Sequence, residues 1–451
     1  MIVHMLMEVK ARELEGRSLL AFHAALSGHQ VFIGRTRHIL DGIRYGVIPV
    51  GVLFEKSISA AKFERLSTRL GSGNLLVCQD EESGLLSESY DQFLDIRSSV
   101  ETMRLTDAVF CWGEHDASAW QSRYPESSGK IHSTGSPRVD FWRPEFLPYF
   151  SSQVSELKKR YGSYVLIASN FASANGVVAP EEMVENAWKY GRIKTSQDEK
   201  VLRDYISDDV RMFRAFVDML RDLAARSLGV QFVIRPHPAE LIEPWQEAFA
   251  GCENVHVVFE GGISSWVRGS LAILHNGCTT ALESYVTGIP SIAYVPFESQ
   301  RNREIPNRLS ICRSTVDEVA EDIKALVAGM PISAKSPEND SLVSKRLANS
   351  MGELAVTRIV KALSHLPDGP HFAPKYWRAR LLGLQFMIRK FIRQKIVRRV
   401  TKMDRKFSSL SLTELVAIRD RLALYNPAYR RCGIHHVYGD VFIIKMNDLS
   451  S

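Results

Sequence analysis

The sequence predicts an α/β protein of two consecutive doubly wound parallel-sheet domains, followed by a basic amphipathic helical extension. Three observations carry that prediction. Short apolar runs alternate with helix-period segments through about the first 330 residues, the pattern of parallel strands joined by helices. Pro137, Pro144 and Pro148 interrupt the alternation and mark a junction. A chain of 451 residues is too long for one ordinary core and suits two domains of roughly 150–200 residues plus an extension.

In the first series, residues 2–7 read as a strand and 12–27 as a helix, with Leu14, Leu19, Leu20, Ala24 and Leu26 in helical register. Residues 30–33, 48–53, 75–78 and 108–112 read as further strands. The second series opens with a strand at 163–168, then a long polar loop and a helix near 208–227. Strands at 230–234, 256–259, 271–274 and 291–295 follow, with a helix at 279–287. The expected domains are therefore 1–147, 148–365 and an extension at 366–451. No G-x-G-x-x-G follows either first strand, which argues against one large dinucleotide-binding enzyme.

Hydrophobic content of 45% and charged content of 24% are ordinary for a soluble globular protein. No apolar run approaches the length of roughly 18 residues that a membrane span needs. Residues 1–7 run straight into Glu8 and Lys10 and read as a strand, not a secretory leader. The six cysteines form no CxxC pair, which argues against a zinc ribbon or disulfide scaffold and for a reducing cytoplasm. Residues 375–406 hold twelve Lys or Arg against Asp404 alone, a net of +11 that leaves −5 for the rest of a chain totalling +6.

Two strand ends in the second series carry the chemistry. Arg235-Pro236-His237-Pro238 follows an apolar strand, and ligands of doubly wound sheets bind outside the carboxyl ends of strands. The two prolines stiffen the backbone at His237, whose imidazole N–H suits a phosphate, with the Arg235 guanidinium adding charge. A plain turn ending a strand accounts for the same residues. His275-Asn276-Gly277-Cys278-Thr279-Thr280 is strand, glycine turn, hydroxyl pair and helix start, where free amides and hydroxyls make an anion site. Ordinary helix capping by the threonines is the bland reading. Glu283 reads as a capping partner or a holder of ribose hydroxyls, and Trp266 as the wall of a base pocket or as core.

The R-P-H-P and H-N-G-C-T-T-A-x-E segments resemble those of bacterial surface carbohydrate biosynthesis proteins, a glycosyltransferase family of the GT-B fold. They are also similar to motifs of bacterial sialyltransferases, Kdo transferases and the CDP-glycerol glycerophosphotransferases of teichoic-acid synthesis. The resemblance covers about residues 1–330. It implies two Rossmann-like domains facing a cleft, and a CMP- or CDP-activated donor whose phosphate meets the His and the hydroxyl pair. Thr134-Gly135-Ser136-Pro137-Arg138-Val139-Asp140 also resembles a segment of the surface carbohydrate family, with Ser136 in place of Asn, although a hinge turn explains it better.

In the first domain, Asp80, Glu81 and Glu82 follow an apolar strand. Clustered negative charge raises at least one carboxyl pKa, which suits a general base, whereas a solvated acidic loop is the plain alternative. The related sialyl- and Kdo-transferases carry their catalytic carboxylate in an acidic-acidic-Gly motif. Here Ser83 separates the acids from Gly84, so the resemblance leaves open which carboxylate acts. The catalytic candidates are therefore Glu81, Glu82, Asp80 and His237. The donor-binding candidates are Arg235, His237, Pro238, His275, Asn276, Gly277, Thr279, Thr280, Glu283 and Trp266. Lys10 and Arg12, in the first strand-to-helix loop, are candidates for an acceptor or the donor's acid group.

Trp377, Leu381, Leu384, Ile388, Phe391, Ile392, Ile396 and Val400 recur at three- and four-residue steps among Arg and Lys. This basic amphipathic helix fits an anionic membrane surface; a brace across the domains or a nucleic-acid contact is the competing reading, and nucleic acid is the least favoured. The expectation is a cytoplasmic enzyme, peripheral on the inner face of the membrane. It moves an acidic sugar such as Kdo or a nonulosonic acid from a CMP donor to a glycan or lipid-linked acceptor, with no metal or other cofactor. A CDP-polyol phosphotransferase, a non-hydrolysing sugar-nucleotide epimerase and a non-catalytic glycan-binding subunit are the alternatives.

Overall fold

The structure is a computed structural model that describes residues 1–71, 73–81, 90–189, 191–226, 228–299, 304–367, 377–391, 407 and 409–447. Its fourteen described strands are β1 (Ile2–Met7), β2 (Gln30–Arg35), β3 (Val52–Glu55), β4 (Leu75–Cys78), β5 (Ala108–Cys111), β6 (Ile131–Ser133), β7 (Tyr164–Ala168), β8 (Gln231–Arg235), β9 (Val255–Val257), β10 (Ala272–His275), β11 (Ser291–Tyr294), β12 (Ile311–Arg313), β13 (Cys432–Tyr438) and β14 (Val441–Met446). They form two sheets in two compact units, Met1–Tyr149 with Ser341–Ser451, and Phe150–Asp340. The class is α/β, with two Rossmann-like doubly wound domains.

The second unit holds a sheet of order β12-β11-β10-β7-β8-β9, with every pairing parallel. In the unit's own sequence order this reads 6-5-4-1-2-3, so the winding reverses between β7 and β10. All of β7, β10 and β11 is buried, because helices cover both faces and each strand must be apolar on both sides.

In the first unit the order is β13-β14-β2-β1-β3-β4-β5-β6. Strands β1 to β6 pair in parallel and the winding reverses between β1 and β3. The last two strands form an antiparallel hairpin that pairs antiparallel with β2, covering what would otherwise be an open edge. The helix at 412–425 runs beside it and stacks Tyr425 on Phe146, with ring centroids 4.1 Å apart. The hairpin of Cys432–Tyr438 and Val441–Met446 thus completes the first sheet.

The chain's return differs from the expected boundaries. Residues 341–365, expected in the second domain, belong to the first unit. The segment read as a hinge, residues 134–140, fastens them there. Asn349 accepts from the Ser136 amide at 3.1 Å and donates to the Ser136 carbonyl at 3.0 Å and to Asp140 at 2.6 Å. Asp140 in turn accepts from the amides of Ala355 and Val356, at the start of a helix over Ala355–Ser364. Gly135 (φ +86) is required because a Cβ there would collide with the Asn349 carboxamide.

Asn349→Ala strips partners from a buried amide, a buried carbonyl and a buried carboxylate, so it is expected to destabilise the protein by about 2 kcal/mol or more. Urea denaturation measures it; a loss under about 0.5 kcal/mol contradicts the clasp.

Candidate functional site

In the second unit the carboxyl ends of β8, β7 and β10 are consecutive in the sheet, and the loops leaving them hold most of the donor-site candidates. His237 and the Thr279-Thr280 pair follow strands separated by two strand spacings, about 10 Å, with the end of β7 between them. Asn170, just past β7, donates to the Gly277 carbonyl at 3.0 Å and joins that middle loop to the β10 turn. Glu240, buried, joins it to the β8 turn. Its Oε1 accepts from Ser169 Oγ at 2.9 Å, from the Phe171 amide at 2.9 Å and from the His237 amide at 3.3 Å, while Oε2 accepts from Trp245 Nε1 at 2.9 Å.

His237 is half-buried and its Nδ1 accepts from the Ala239 amide at 3.2 Å. In the neutral ring this leaves the proton on Nε2, the form that donates to a phosphate. Pro236 is buried and Pro238 exposed on either side of it. Across the reversal, Gly277 turns at φ +66, and its amide donates to Asn307 Oδ1 at 2.9 Å. Thr279 is exposed and Thr280 half-exposed at the start of the helix Thr280–Thr287. The Thr279 side chain makes no capping hydrogen bond, and among the described residues the two amides have no acceptor. The capping reading of this hydroxyl therefore fails, and the helix start keeps amides and hydroxyls available to an anion.

Several candidates act at one remove. His275, taken as a phosphate contact, is fully buried. Its Nε2 meets Ser291 Oγ at 3.0 Å and Ser310 Oγ at 2.9 Å, its Nδ1 accepts from the Cys278 amide, and burial pulls its pKa down to about 3. It is a neutral ring that shapes the turn. Asn276 is buried and donates to the Tyr294 carbonyl at 2.7 Å. Arg235, expected on a phosphate, donates to the carbonyls of Glu260 and Gly261 and lies over the Trp266 ring, 4.9 Å from its centroid. Trp266 packs with Tyr161 and Tyr164 in the core and walls no base pocket. Glu283 is likewise buried, at 1% exposure, which removes it from any ribose.

The first unit gathers charge at the ends of its own strands. Glu81 follows β4; its side chain is 13% exposed, and Arg17 Nη2 lies 3.0 Å from its Oε1. Burial pushes the Glu81 carboxyl up to about 7, against the pull of Arg17 and Arg138 and with help from Glu13 and Asp80. Arg17 is itself buried, on the helix Lys10–Leu26, with its guanidinium 4.4 Å from the Phe54 ring centroid. Glu13 accepts from the amides of Glu8 and Val9, and Lys56 lies 2.7 Å from Glu8 and 3.6 Å from Glu13. Asp80 is buried, its Oδ2 3.4 Å from Arg97 Nε and its carbonyl bonded to Trp112 Nε1. Glu82 lies outside the described residues.

Lys10, expected to face a substrate, donates to Glu414 Oε1 at 2.5 Å and to the Ser409 carbonyl at 2.6 Å and so anchors the C-terminal segment; Arg12 is exposed. Sequence reasoning missed Glu240, Ser169, Asn170, Asn307 and Arg17. A carboxylate three residues beyond His237 was the signal available for Glu240. The others become visible only through the strand order.

No family model and no curated protein matches the chain. Among solved structures it is similar to a UDP-N-acetylglucosamine 2-epimerase from Listeria monocytogenes, at 11% identity and a TM-score of 0.49 over 82% of this chain and 99% of that one. It is similar to the Methanocaldococcus jannaschii UDP-GlcNAc 2-epimerase solved with UDP-GlcNAc and UDP, at 12%, 0.48, and 81% and 100%. It is also similar to the wall teichoic acid polymerase TagF, at 10%, 0.41, and 69% and 71%.

An unfolded Glu titrates near 4.3, so between about pH 4 and 7 the folded state binds the extra proton, and Glu81's contribution to stability is lost as pH rises through 7. Glu81→Gln is expected to become more stable relative to the unsubstituted protein across that window, by about 2–3 kcal/mol in total. Denaturant midpoints from pH 5 to 8 measure it; a difference that does not change with pH contradicts the assignment. Asp140, also raised to about 7 by burial, is common to both proteins and cancels.

Proposed function

We propose that the chain is an enzyme that acts on a nucleotide-activated sugar and transfers the sugar to a glycan or lipid-linked acceptor. The observation that carries this reading is the anion site of the second unit. A histidine proton donor on one side of β7 and an open helix start with two hydroxyls on the other suit the phosphates of such a substrate. These groups donate to charge that grows on the leaving phosphate, which is the way a GT-B enzyme assists departure. Glu81, held near neutrality, is the proton-transfer group that deprotonates the acceptor hydroxyl. The motif resemblance supports a cytidine nucleotide as carrier.

The acidic-sugar part of the reading loses one support, because Lys10 is held by Glu414 and Ser409. That observation favours a second reading, a non-hydrolysing epimerase, which needs no acid-group contact. It uses the same phosphate site, with Glu81 taking a proton from carbon instead of oxygen.

Thermal unfolding with CMP, CDP, UDP and GDP separates the two: a ligand that binds only the native state raises the midpoint by mass action. Preferential stabilisation by CMP or CDP is expected for transfer from a cytidine carrier, whereas preference for UDP together with interconversion of a UDP-sugar establishes the epimerase. His237→Ala is expected to weaken nucleotide binding about tenfold. Glu81→Gln is expected to leave nucleotide binding unchanged and cut turnover at least about a hundredfold. Full turnover in that variant removes Glu81 from the mechanism.

A further inference from the structure

Among the described residues, the helix that opens the basic segment is apolar on two opposed faces, and one of them is covered. The helix Trp377–Phe391 buries Ala379 and Leu382 against the first unit's core, and stacks Phe386 on Tyr438, with centroids 5.9 Å apart, and against His38 at 4.1 Å. Gly383 lies in the same face, where an added Cβ would meet Tyr438 Cβ at 3.9 Å, ordinary van der Waals contact. These residues sit at i, i+3, i+4 and i+7 and make one stripe. Leu381, Leu384, Met387 and Ile388 form the opposite stripe, and they are 61%, 51%, 63% and 50% exposed. Leu381, Leu384 and Ile388 belong to the stripe that the sequence pattern marks, whereas Ile392, Ile396 and Val400 lie outside the described residues. The buried one is why the helix is fixed to the domain at all.

We propose that this outer stripe docks the first unit onto an anionic bilayer surface. Arg378 donates to the Tyr45 carbonyl at 3.1 Å, so exposed Tyr45 and Arg44 lie beside the start of the helix and Arg380 is exposed on it. Lys or Arg outnumber acids twelve to one over residues 375–406. That sequence charge, with Arg44 and Arg380 exposed beside the helix, attracts anionic headgroups, while four large apolar side chains in a row enter the boundary beneath them. Charge complementarity selects this occupant. A second copy would bring one net +11 segment against another, and a nucleic acid would satisfy the charge but leave the apolar row in water. The inner face makes the helix a brace as well as an anchor, so lipid contact fixes the orientation of the whole first unit.

Co-sedimentation of the 451-residue protein with vesicles tests it, using phosphatidylcholine alone or with added phosphatidylglycerol. Binding is expected only with phosphatidylglycerol and is expected to weaken with salt. Leu384→Glu combined with Met387→Glu is expected to cut the bound fraction at least tenfold with an unchanged thermal midpoint, because both side chains are exposed. Leu382→Ala, on the inner face, is expected to lower the midpoint instead. Undiminished binding by the double variant, equal binding to neutral vesicles, or self-association through this face overturns the proposal. So does a preference for DNA or RNA over vesicles.

Discussion

The buried carboxylate of Glu240 is the interaction on which the second unit's site depends. A charge taken out of water is tolerated only when hydrogen bonds replace its hydration. Glu240 meets that demand with donors from three places, the loop after β7, the turn after β8 and the indole of Trp245. Those donors then have fixed positions, so the loops that carry His237 and Asn170 are fixed with them. Asn170 extends the same order across the reversal to Gly277. The proposed phosphate site draws on His237 and on the Thr279 and Thr280 helix start that these loops carry.

Much of the fold was legible because burial on both faces leaves little choice of residue. The apolar runs at β1, β4, β5, β7 and β11 could be read directly, since strands between two helical layers are mostly apolar, with His4 and Ser291 the buried polar residues among them. Two of the short edge strands were not legible. Residues 131–133 and 311–313 are three-residue strands with few buried side chains, so no period can form. Nor was the return of the chain at Ser341, which depends on Asn349 meeting Ser136 and Asp140 about 210 positions away.

The site was legible as an address and less so in its contacts. His237, Thr279 and Thr280 stand where a strand-end argument puts them. Arg235, His275 and Asn276 stand beside them in sequence but serve as scaffold, because polar groups that close to a tight turn first satisfy its carbonyls and amides. Position along the chain does not distinguish a side chain that faces the ligand from one that holds the loop. Lys10 fails for the same reason. It lies in the correct loop, yet its partner Glu414 is supplied by a segment four hundred residues away. The helix Trp377–Phe391 shows the converse: Leu381, Leu384 and Ile388, part of the stripe that the sequence marks, are exposed, and the buried face of Ala379, Leu382 and Phe386 was not read.

The central claim is that phosphate binds at the reversal of the second sheet, between the turn after β8 and the helix start after β10. A crystal structure of the protein soaked with a nucleoside diphosphate measures this directly. The account predicts phosphate oxygens within hydrogen-bond distance of His237 Nε2 and of the Thr279 or Thr280 amide and hydroxyl. Phosphate held instead at the strand ends of the first unit, beside Lys56 and Arg17, contradicts it.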